Sequence, residues 1–311
     1  MKPAPFSYVR PGSLADVLGE LAAGDGKVLA GGQSLVPVLA MRLGRPGTLV
    51  DINSVAELDE LTVSGPGSRA GEVVRVGATT RQRVLERSDE VRRVPLLGMA
   101  LPFVGHRELR SRGTVCGSLA HADPAAELPA VACCLDAVLE IAGPSGHRRV
   151  SAAEFFAGAM TTAVGPDEVL VAAEFPVARA GEGFGFAEIA RRHGDFALAG
   201  VVTRVERDGD RVVTATLTGF GISDQPVTRD VAPLVQAGGG LPAALREGTA
   251  ELAADLVDTA GDAHGSTGYR RRLFTVLAAR ELGRAYDSAG NDSAGNDSAG
   301  NDSAGNDSAG S

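Results

Sequence analysis

The spacing of hydrophobic and polar residues at the N-terminus predicts strands that alternate with helices. A short apolar run over residues 6–11 predicts a strand, and Ser13 then precedes an apolar stripe at helical intervals over residues 14–21. This arrangement predicts a helix that is capped by Ser13. The next predicted elements are a strand at 27–30, a helix at 35–42, a strand at 48–52 and an extended segment at 58–63. Such an order is typical of a small α/β unit.

A second unit is predicted in the middle of the chain. Its elements are a strand at 73–78, helices over 81–87 and 94–104, an apolar segment at 128–137, a hairpin over 138–150 and a strand at 169–175. Pro102 interrupts the second helix, because proline cannot continue a helical hydrogen-bond pattern. The hairpin turn at 143–146 is Gly-Pro-Ser-Gly, a composition typical of tight turns.

The pattern changes after Gly183. Alternating residues at 201–206 and 211–217 flank an Arg-Asp-Gly-Asp turn, which predicts a β-hairpin. Residues 241–256 and 269–286 then have the spacing of amphipathic helices. A sheet with helices on one face is an α+β arrangement, so we expect a domain boundary near Pro176.

The last segment of the chain is a tandem repeat. From Asp287 to Ser311 the sequence repeats Asp-Ser-Ala-Gly-Asn, with no apolar residue larger than alanine. Such a segment cannot bury enough apolar surface to offset the entropy of ordering. We therefore predict a disordered tail over 287–311.

Composition and charge restrict the function classes. The 311 residues are 44% hydrophobic and 22% charged, with a formal net charge of −9. This profile predicts a globular protein of about two domains and argues against general affinity for nucleic acid or anionic membranes. The sequence shows neither a secretory signal nor a long uncharged apolar stretch, so a cytoplasmic location without a membrane span is expected.

The cysteines do not indicate a metal centre. Cys116, Cys133 and Cys134 are the only cysteines, too few for a disulfide framework or a thiolate cluster site. The latter two lie in an apolar run, which is typical of buried thiols. His106 and His121 lie near Cys116 in the sequence, but their spacing matches no common ligand pattern. We expect no metal site.

Two glycine turns carry the chemical signal of the sequence. The first is Leu-Ala-Gly-Gly-Gln-Ser-Leu at 29–35, and the second is Arg-Gly-Thr-Val-Cys-Gly-Ser-Leu-Ala-His-Ala-Asp-Pro at 112–124. Glycines expose backbone N–H groups, and the following Ser or Thr adds a hydroxyl, so each turn is suited to an anion. Two such turns indicate a diphosphate held from both sides. Asp123 is suited to ribose hydroxyls, which together with a diphosphate indicates a dinucleotide or a similarly long cofactor.

A competing motif fails on its context. Residues 65–70, Gly-Pro-Gly-Ser-Arg-Ala, match the dinucleotide fingerprint, but they precede a strand instead of following one. We interpret them as a loop. The sequence contains neither a nucleophile-elbow nor a phosphate-loop motif.

The glycine turns also belong to a longer resemblance. Residues 28–42, 77–80, 112–129 and 186–199 resemble, in order, the FAD-binding medium subunit of molybdenum hydroxylases, the relatives of carbon monoxide dehydrogenase and xanthine dehydrogenase. The similarity extends from about residue 3 to residue 284 and leaves out the repeat tail.

The resemblance implies FAD as the cofactor and an α+β fold. This fold is a two-lobed FAD-binding domain of the PCMH and vanillyl-alcohol-oxidase type, followed by a smaller α+β domain whose antiparallel sheet carries helices on one face. The implied division is residues 1–176 for the FAD-binding domain, with lobes at about 1–60 and 61–176, residues 177–286 for the C-terminal domain and 287–311 for the tail.

The resemblance also implies the cofactor-binding residues. The turns contact the diphosphate and flavin side, and the later residues approach the adenosine or ribitol part and the ring system. These residues are Leu29, Ala30, Gly31, Gly32, Gln33, Ser34, Leu35, Thr80, Gly113, Thr114, Gly117, Ser118, Ala120, Asp123, Glu127, Leu128, Leu170, Glu188, Asp195 and Phe196.

Three residues depart from the family pattern. Cys116 stands where many relatives have a second glycine, which restricts the backbone and places a thiol near the flavin. Glu188 stands where lysine is common, which argues against a cationic contact there. Phe196 offers a ring edge but no hydroxyl.

By resemblance, the chain is one member of a series of electron carriers and holds no catalytic residue of its own. Substrate is oxidised on a large molybdopterin subunit, and a small 2Fe–2S subunit passes electrons to FAD and on to an external acceptor. A dimer of heterotrimers is expected. One alternative is a stand-alone flavin oxidoreductase, with Glu188, His193 and Asp195 as the candidate acids and bases. Another is a non-catalytic binding module with purely structural glycine turns.

Overall fold

A three-stranded parallel sheet, in the order β1-β3-β2, forms the first lobe. The computed structural model describes residues 2–64 and 71–297, with side chains up to residue 290, so the predicted loop at 65–70 lies outside the described residues. The elements of this lobe are β1 (Ser7–Val9), α1 (Leu14–Ala22), β2 (Gly26–Leu29), α2 (Leu35–Ala40) and β3 (Thr48–Asp51). Ser13 caps α1 as predicted, because its hydroxyl accepts the Asp16 N–H at 3.2 Å. The carboxyl ends of β2 and β3 lie at one edge, where the first glycine turn begins.

A five-stranded antiparallel sheet forms the second lobe, in the order β4-β5-β10-β6-β7. Its strands are β4 (Leu61–Val63), β5 (Val73–Gly77), β6 (Val138–Gly143), β7 (Gly146–Ser151) and β10 (Val169–Pro176), and β8 (Phe156–Gly158) pairs with β9 (Thr161–Thr162). Its helices are α3 (Gln82–Arg87), α4 (Pro95–Ala100), α5 (Arg107–Arg110), α6 (Val115–His121), α7 (Glu127–Cys134) and α8 (Ala152–Phe155). Pro102 lies in a one-turn 3₁₀ helix directly after α4, which confirms the predicted interruption.

A four-stranded antiparallel sheet, in the order β11-β12-β13-β14, forms the C-terminal part. Its elements are β11 (Glu182–Ala190), β12 (Ala197–Asp208), β13 (Arg211–Phe220), β14 (Val227–Asp230), α9 (Ala232–Gly238), α10 (Pro242–Leu256) and α11 (Thr267–Asp297). The predicted hairpin is β12–β13 and the two predicted helices are α10 and α11, so the α+β arrangement is confirmed. Neither α11 nor any other helix in the described residues is long and apolar enough to cross a membrane.

The C-terminal sheet packs on the first two lobes through aromatic side chains. Phe186 and Phe220 belong to the same apolar cluster as the cores of the first two lobes. The ring of Phe186 lies 5.2 Å from that of Phe103 and 5.9 Å from that of Phe220, measured between centroids. Such aromatic pairs add to the free energy gained by burial. They hold β11, which carries Glu188, against the second lobe.

The start of α11 is fixed by a buried arginine. Arg270, which is 6% exposed, donates to the carbonyl oxygens of Leu198 at 2.5 Å and Gly221 at 2.7 Å and pairs with Asp262 at 2.7 Å. Hydrogen bonds from a charged donor are stronger than those between neutral groups. They therefore attach α11 to the sheet.

The tail differs from its prediction. Disorder is predicted from Asp287, but α11 continues through Asp297, and residues 298–311 lie outside the described part. Ala289 is fully buried, and a Cβ at Gly183 of β11 would lie 2.5 Å from its nitrogen. Gly183 on the sheet thus lets Ala289 of the helix pack closely, and the first repeats remain helical.

Candidate functional site

The first glycine turn connects β2 to α2 and exposes several backbone donors. Gly32 has a φ of 72°, a left-handed conformation that favours glycine. The Gln33 side chain folds back and donates to the Gly31 carbonyl at 3.0 Å. The N–H groups of Gly32, Gln33 and Ser34 donate to no acceptor in the described part of the chain. They are therefore available to an anion.

The second glycine turn is the N-terminus of helix α6, a helix that the sequence did not predict. Thr114 is its N-cap, since the Thr114 hydroxyl accepts the Gly117 N–H at 3.0 Å. A Cβ at Gly117 would lie only 2.6 Å from this hydroxyl, so glycine makes room for the cap. Among the described residues, no acceptor takes the N–H groups of Thr114 and Cys116.

The two turns contact each other directly. A Cβ built on Gly31 would lie 2.7 Å from the Gly113 Cα and closer still to the Arg112 carbonyl oxygen. Only glycine allows the two backbones to approach to this distance. Gly113 and Thr114 are buried, whereas the other predicted turn residues are half-buried: Leu29, Ala30, Gly31, Gly32, Gln33, Ser34, Leu35, Gly117 and Ser118.

Backbone hydrogen bonds hold the second turn against the second lobe. The Gln82 N–H donates to the Gly113 carbonyl at 2.9 Å, and the Val115 N–H donates to the Thr80 carbonyl at 3.3 Å. The Thr80 hydroxyl donates to the Glu60 carbonyl at 2.9 Å, and its residue is buried. Thr80 therefore connects the second glycine turn to Glu60, the residue before β4 of the second lobe.

This arrangement fits a diphosphate. Unpaired N–H groups from both turns lie on two backbone segments in contact, and the half-buried turn surface reduces competition from water. The unpaired backbone N–H groups supply dipoles that attract an anion, and Arg112 at the start of the second turn and Arg81 beside it add positive charge.

Three acidic residues form a cluster beyond α6. The Asp123 carboxylate accepts the Ala125 N–H at 2.9 Å. Burial and the charge of Asp123 raise the pKa of Glu127 to about 7, and burial and Glu127 raise the pKa of Glu188 to about 8. Oε2 of Glu188 is buried without a hydrogen-bond partner among the described residues. A neutral carboxyl group is a hydrogen-bond donor, so Glu188 can donate a hydrogen bond when it is protonated.

The remaining predicted site residues differ in their burial. The side chains of Leu128 and Leu170 are 0% and 4% exposed and belong to the apolar core, so only their main chains can face a ligand. Ala120 lies on the exposed side of α6. After β11, Asp195 pairs with Arg191 at 3.5 Å, and Phe196 is 69% exposed.

Cys116 corrects one expectation. Its side chain is 2% exposed, and Sγ donates to the Val76 carbonyl of β5 at 3.4 Å. The thiol therefore points into the apolar core and is not exposed to a ligand on the turn surface. Burial raises its pKa to about 12, which makes the reactive thiolate scarce at neutral pH.

The native chain is expected to show no reactive thiol. Cys133 and Cys134 are buried as well, and burial raises the pKa of each to about 12. Titration of the native chain with Ellman's reagent at pH 7.5 should give no rapid reaction, and all three cysteines should react after denaturation. Rapid reaction of one thiol equivalent in the native protein would contradict the burial of the three cysteines.

Two polar residues beside the turns were not predicted from the sequence. Asn53 donates to the Ala30 carbonyl at 2.9 Å, and Arg81 donates to the Arg112 carbonyl. Asn53 had a usable signal, because it follows β3 at the edge where parallel strands end, and polar residues at that edge often meet ligands. Arg81 had no such signal.

Family comparisons agree with this architecture. A family described as "FAD binding domain in molybdopterin dehydrogenase" matches residues 4–178, and one described as "CO dehydrogenase flavoprotein C-terminal domain" matches residues 184–285. The fold and the paired turns thus define a flavoprotein of the PCMH type, and its cofactor is FAD.

Comparisons with individual proteins give the family. The chain is 34% identical to the 6-hydroxypseudooxynicotine dehydrogenase complex subunit alpha of Paenarthrobacter nicotinovorans over 93% of this chain and 97% of the relative. It is 32% identical to the carbon monoxide dehydrogenase medium chain of Afipia carboxidovorans, over 94% and 100%. Its fold matches a structure of reconstituted CO dehydrogenase from Oligotropha carboxidovorans with a TM-score of 0.85 and 30% identity, over 93% and 100% of the two chains. The chain belongs to the FAD-binding medium subunits of the molybdenum hydroxylases, which are oxidoreductases.

Proposed function

We propose that this chain transfers electrons within a multi-subunit molybdenum hydroxylase, from 2Fe–2S centres to an external acceptor. The contact between two glycine turns, with unpaired N–H groups on both, carries the proposal, because it fits the diphosphate of FAD. Bound FAD supplies redox chemistry that ordinary side chains lack. The chain supplies position, hydrogen bonds and exclusion of water.

Each part of the site has a proposed role. The amides of Gly32, Gln33 and Ser34 bind one phosphate, and the N-terminus of α6 with Thr114 binds the other. Asp123 takes ribose or ribitol hydroxyls, and the neutral Glu188 carboxyl donates a hydrogen bond toward the cofactor.

The remaining residues of the site are proposed to act through their backbone or at the rim. They are Leu29, Ala30, Gly31, Leu35, Thr80, Gly113, Gly117, Ser118, Ala120, Glu127, Leu128, Leu170, Asp195 and Phe196. The exposed ring of Phe196 suits a rim position, where an aromatic side chain meets either a ring edge or a partner surface.

The proposed partners are a small 2Fe–2S subunit and a large molybdopterin subunit, assembled as a dimer of heterotrimers. Support comes from relatives that are themselves named as a medium chain and as a subunit of a dehydrogenase complex. The division into residues 1–176 and 177–286 and the cytoplasmic location remain predictions.

A flavin-free complex provides the test of electron transfer. The chain is co-expressed with its two partners, purified, and reduced anaerobically with limiting dithionite, and transfer to NAD, a quinone and ferricyanide is followed. We expect the complete complex to reduce at least one two-electron acceptor. A complex that carries the flavin-deficient Gly31→Ala chain should retain reducible 2Fe–2S centres. Its rate of reduction of that acceptor should be lower by a factor of about ten or more. Equal rates in the two complexes would refute the proposal.

A further inference from the structure

A continuous chain of side-chain hydrogen bonds connects the two glycine turns. Nδ2 of Asn53 donates to the Ala30 carbonyl in the first turn at 2.9 Å. Nη2 of Arg81 donates to Oδ1 of Asn53 at 2.6 Å, and Nη1 of Arg81 donates to the Arg112 carbonyl at the entrance of the second turn at 2.5 Å. Two side chains thus bridge backbone atoms of both turns.

The orientation of Asn53 is determined by its neighbours. Oδ1 of Asp51 accepts both the backbone N–H of Asn53 at 2.9 Å and its Nδ2 at 2.5 Å, and the Tyr8 hydroxyl donates to the other Asp51 oxygen. A carboxylate can only accept and a guanidinium can only donate. Oδ1 of Asn53 must therefore face Arg81, and its amide nitrogen must face the first turn.

The Arg112 carbonyl oxygen serves two contacts at once. It accepts the Arg81 hydrogen bond, and it is the atom nearest to the position that a side chain on Gly31 would occupy. If the Arg112 carbonyl oxygen moves, the distance between the two turns changes. Burial, and then the charge of Arg112, lower the pKa of Arg81. Arg81 donates to Asn53 and to the Arg112 carbonyl and pairs with no carboxylate among the described residues, which indicates a geometric role.

We propose that Asn53 and Arg81 form a clasp that sets the separation of the two glycine turns and so act as positioning residues for FAD. The inference rests on the proposed placement of the diphosphate between the turns. A site that binds a diphosphate from both sides loses affinity when its halves separate, because binding must then supply the energy that reorders them.

The test compares matched variants in the purified complex. FAD is removed, the complex is titrated with FAD, and the dissociation constant is obtained from flavin fluorescence. We expect Arg81→Gln and Asn53→Ala to weaken binding about tenfold each. Arg81→Lys should recover part of the loss, since a lysine can satisfy one of the two acceptors. The control Arg149→Gln also removes a positive charge and two hydrogen bonds, to Glu174 in the second lobe, and should bind FAD like wild type.

Two further measurements distinguish a connected clasp from two side chains that act independently. In the clasp, the double variant Asn53→Ala/Arg81→Gln should bind no more weakly than the single variants, because each breaks the same connection. Hydrogen exchange of the FAD-free complex should become faster in peptides over 30–36 and 112–118 and stay unchanged in α10. Additive losses, a neutral Asn53→Ala, or unchanged exchange would overturn the clasp. A wild-type complex without FAD would instead refute the proposed function.

Discussion

Replacement of Gly31 by alanine is expected to abolish FAD retention. The added Cβ would lie 2.7 Å from the Gly113 Cα and closer to the Arg112 carbonyl, and backbone at both points leaves no flexible side chain to yield. The turns must therefore separate. FAD content after gel filtration, measured by chromatography of the denatured supernatant, should fall at least about tenfold relative to wild type.

Gly19→Ala is the matched control for this substitution. Gly19 lies in α1, and a Cβ there meets nothing within 4 Å. The same chemical change should leave FAD content unchanged and favour the helix by about 1 kcal/mol. Wild-type FAD content in the Gly31→Ala chain would show that the turn contact is not required for binding.

The acidic cluster is expected to make stability fall as pH rises. The folded-state pKa of Glu188, raised to about 8 by burial and Glu127, lies above its unfolded value of about 4.3. Between these values the folded chain binds more protons than the unfolded chain, so the free energy of unfolding decreases with increasing pH. The burial-raised pKa of Glu127, about 7, acts in the same direction.

Glu188→Gln removes one of these ionisations. Between pH 5 and pH 8, the thermal midpoint of wild type should fall by about 2–4 °C more than that of the variant. This difference corresponds to an effect on the order of 1 kcal/mol after solvent screening. Glu251→Gln, an exposed change on α10, should keep the wild-type profile. If the thermal midpoints of wild type and Glu188→Gln fell equally with pH, Glu188 would not belong to an acidic cluster with Glu127. The comparison uses flavin-free chain, so that FAD loss does not enter.

The spacing of apolar residues was sufficient to predict the helix and strands around the first glycine turn. The apolar pattern over 27–52 specifies β2, α2 and β3, because each element buries residues at its own period. Ser13 and the β12–β13 hairpin were likewise predictable, since caps and tight turns depend on residues adjacent in sequence.

Long-range contacts could not be predicted in this way. Helix α6 is short and contains Gly117, a poor helix former, and it is held by the Thr114 cap and by Thr80 of another segment. The contact of Gly31 with Arg112 and the inward direction of Cys116 also depend on tertiary packing. The acidic cluster could not be predicted from the sequence either, because Glu127 lies on helix α7 and Glu188 lies on strand β11.

The repeat tail shows how packing overrides composition. Its residues alone cannot offset the entropy of ordering, yet Ala289 is buried against β11. Continuation of an existing helix avoids the nucleation cost that an isolated segment would bear. The sequence alone did not reveal that Gly183 provides the required space.

Flavin analysis of the complex purified through this chain shows directly whether the chain holds FAD between the two glycine turns. We expect FAD, and not FMN, in stoichiometric amount with the chain, and we expect its loss in Gly31→Ala but not in Gly19→Ala. A wild-type complex that contains its partners with iron and molybdenum but no FAD would contradict the account.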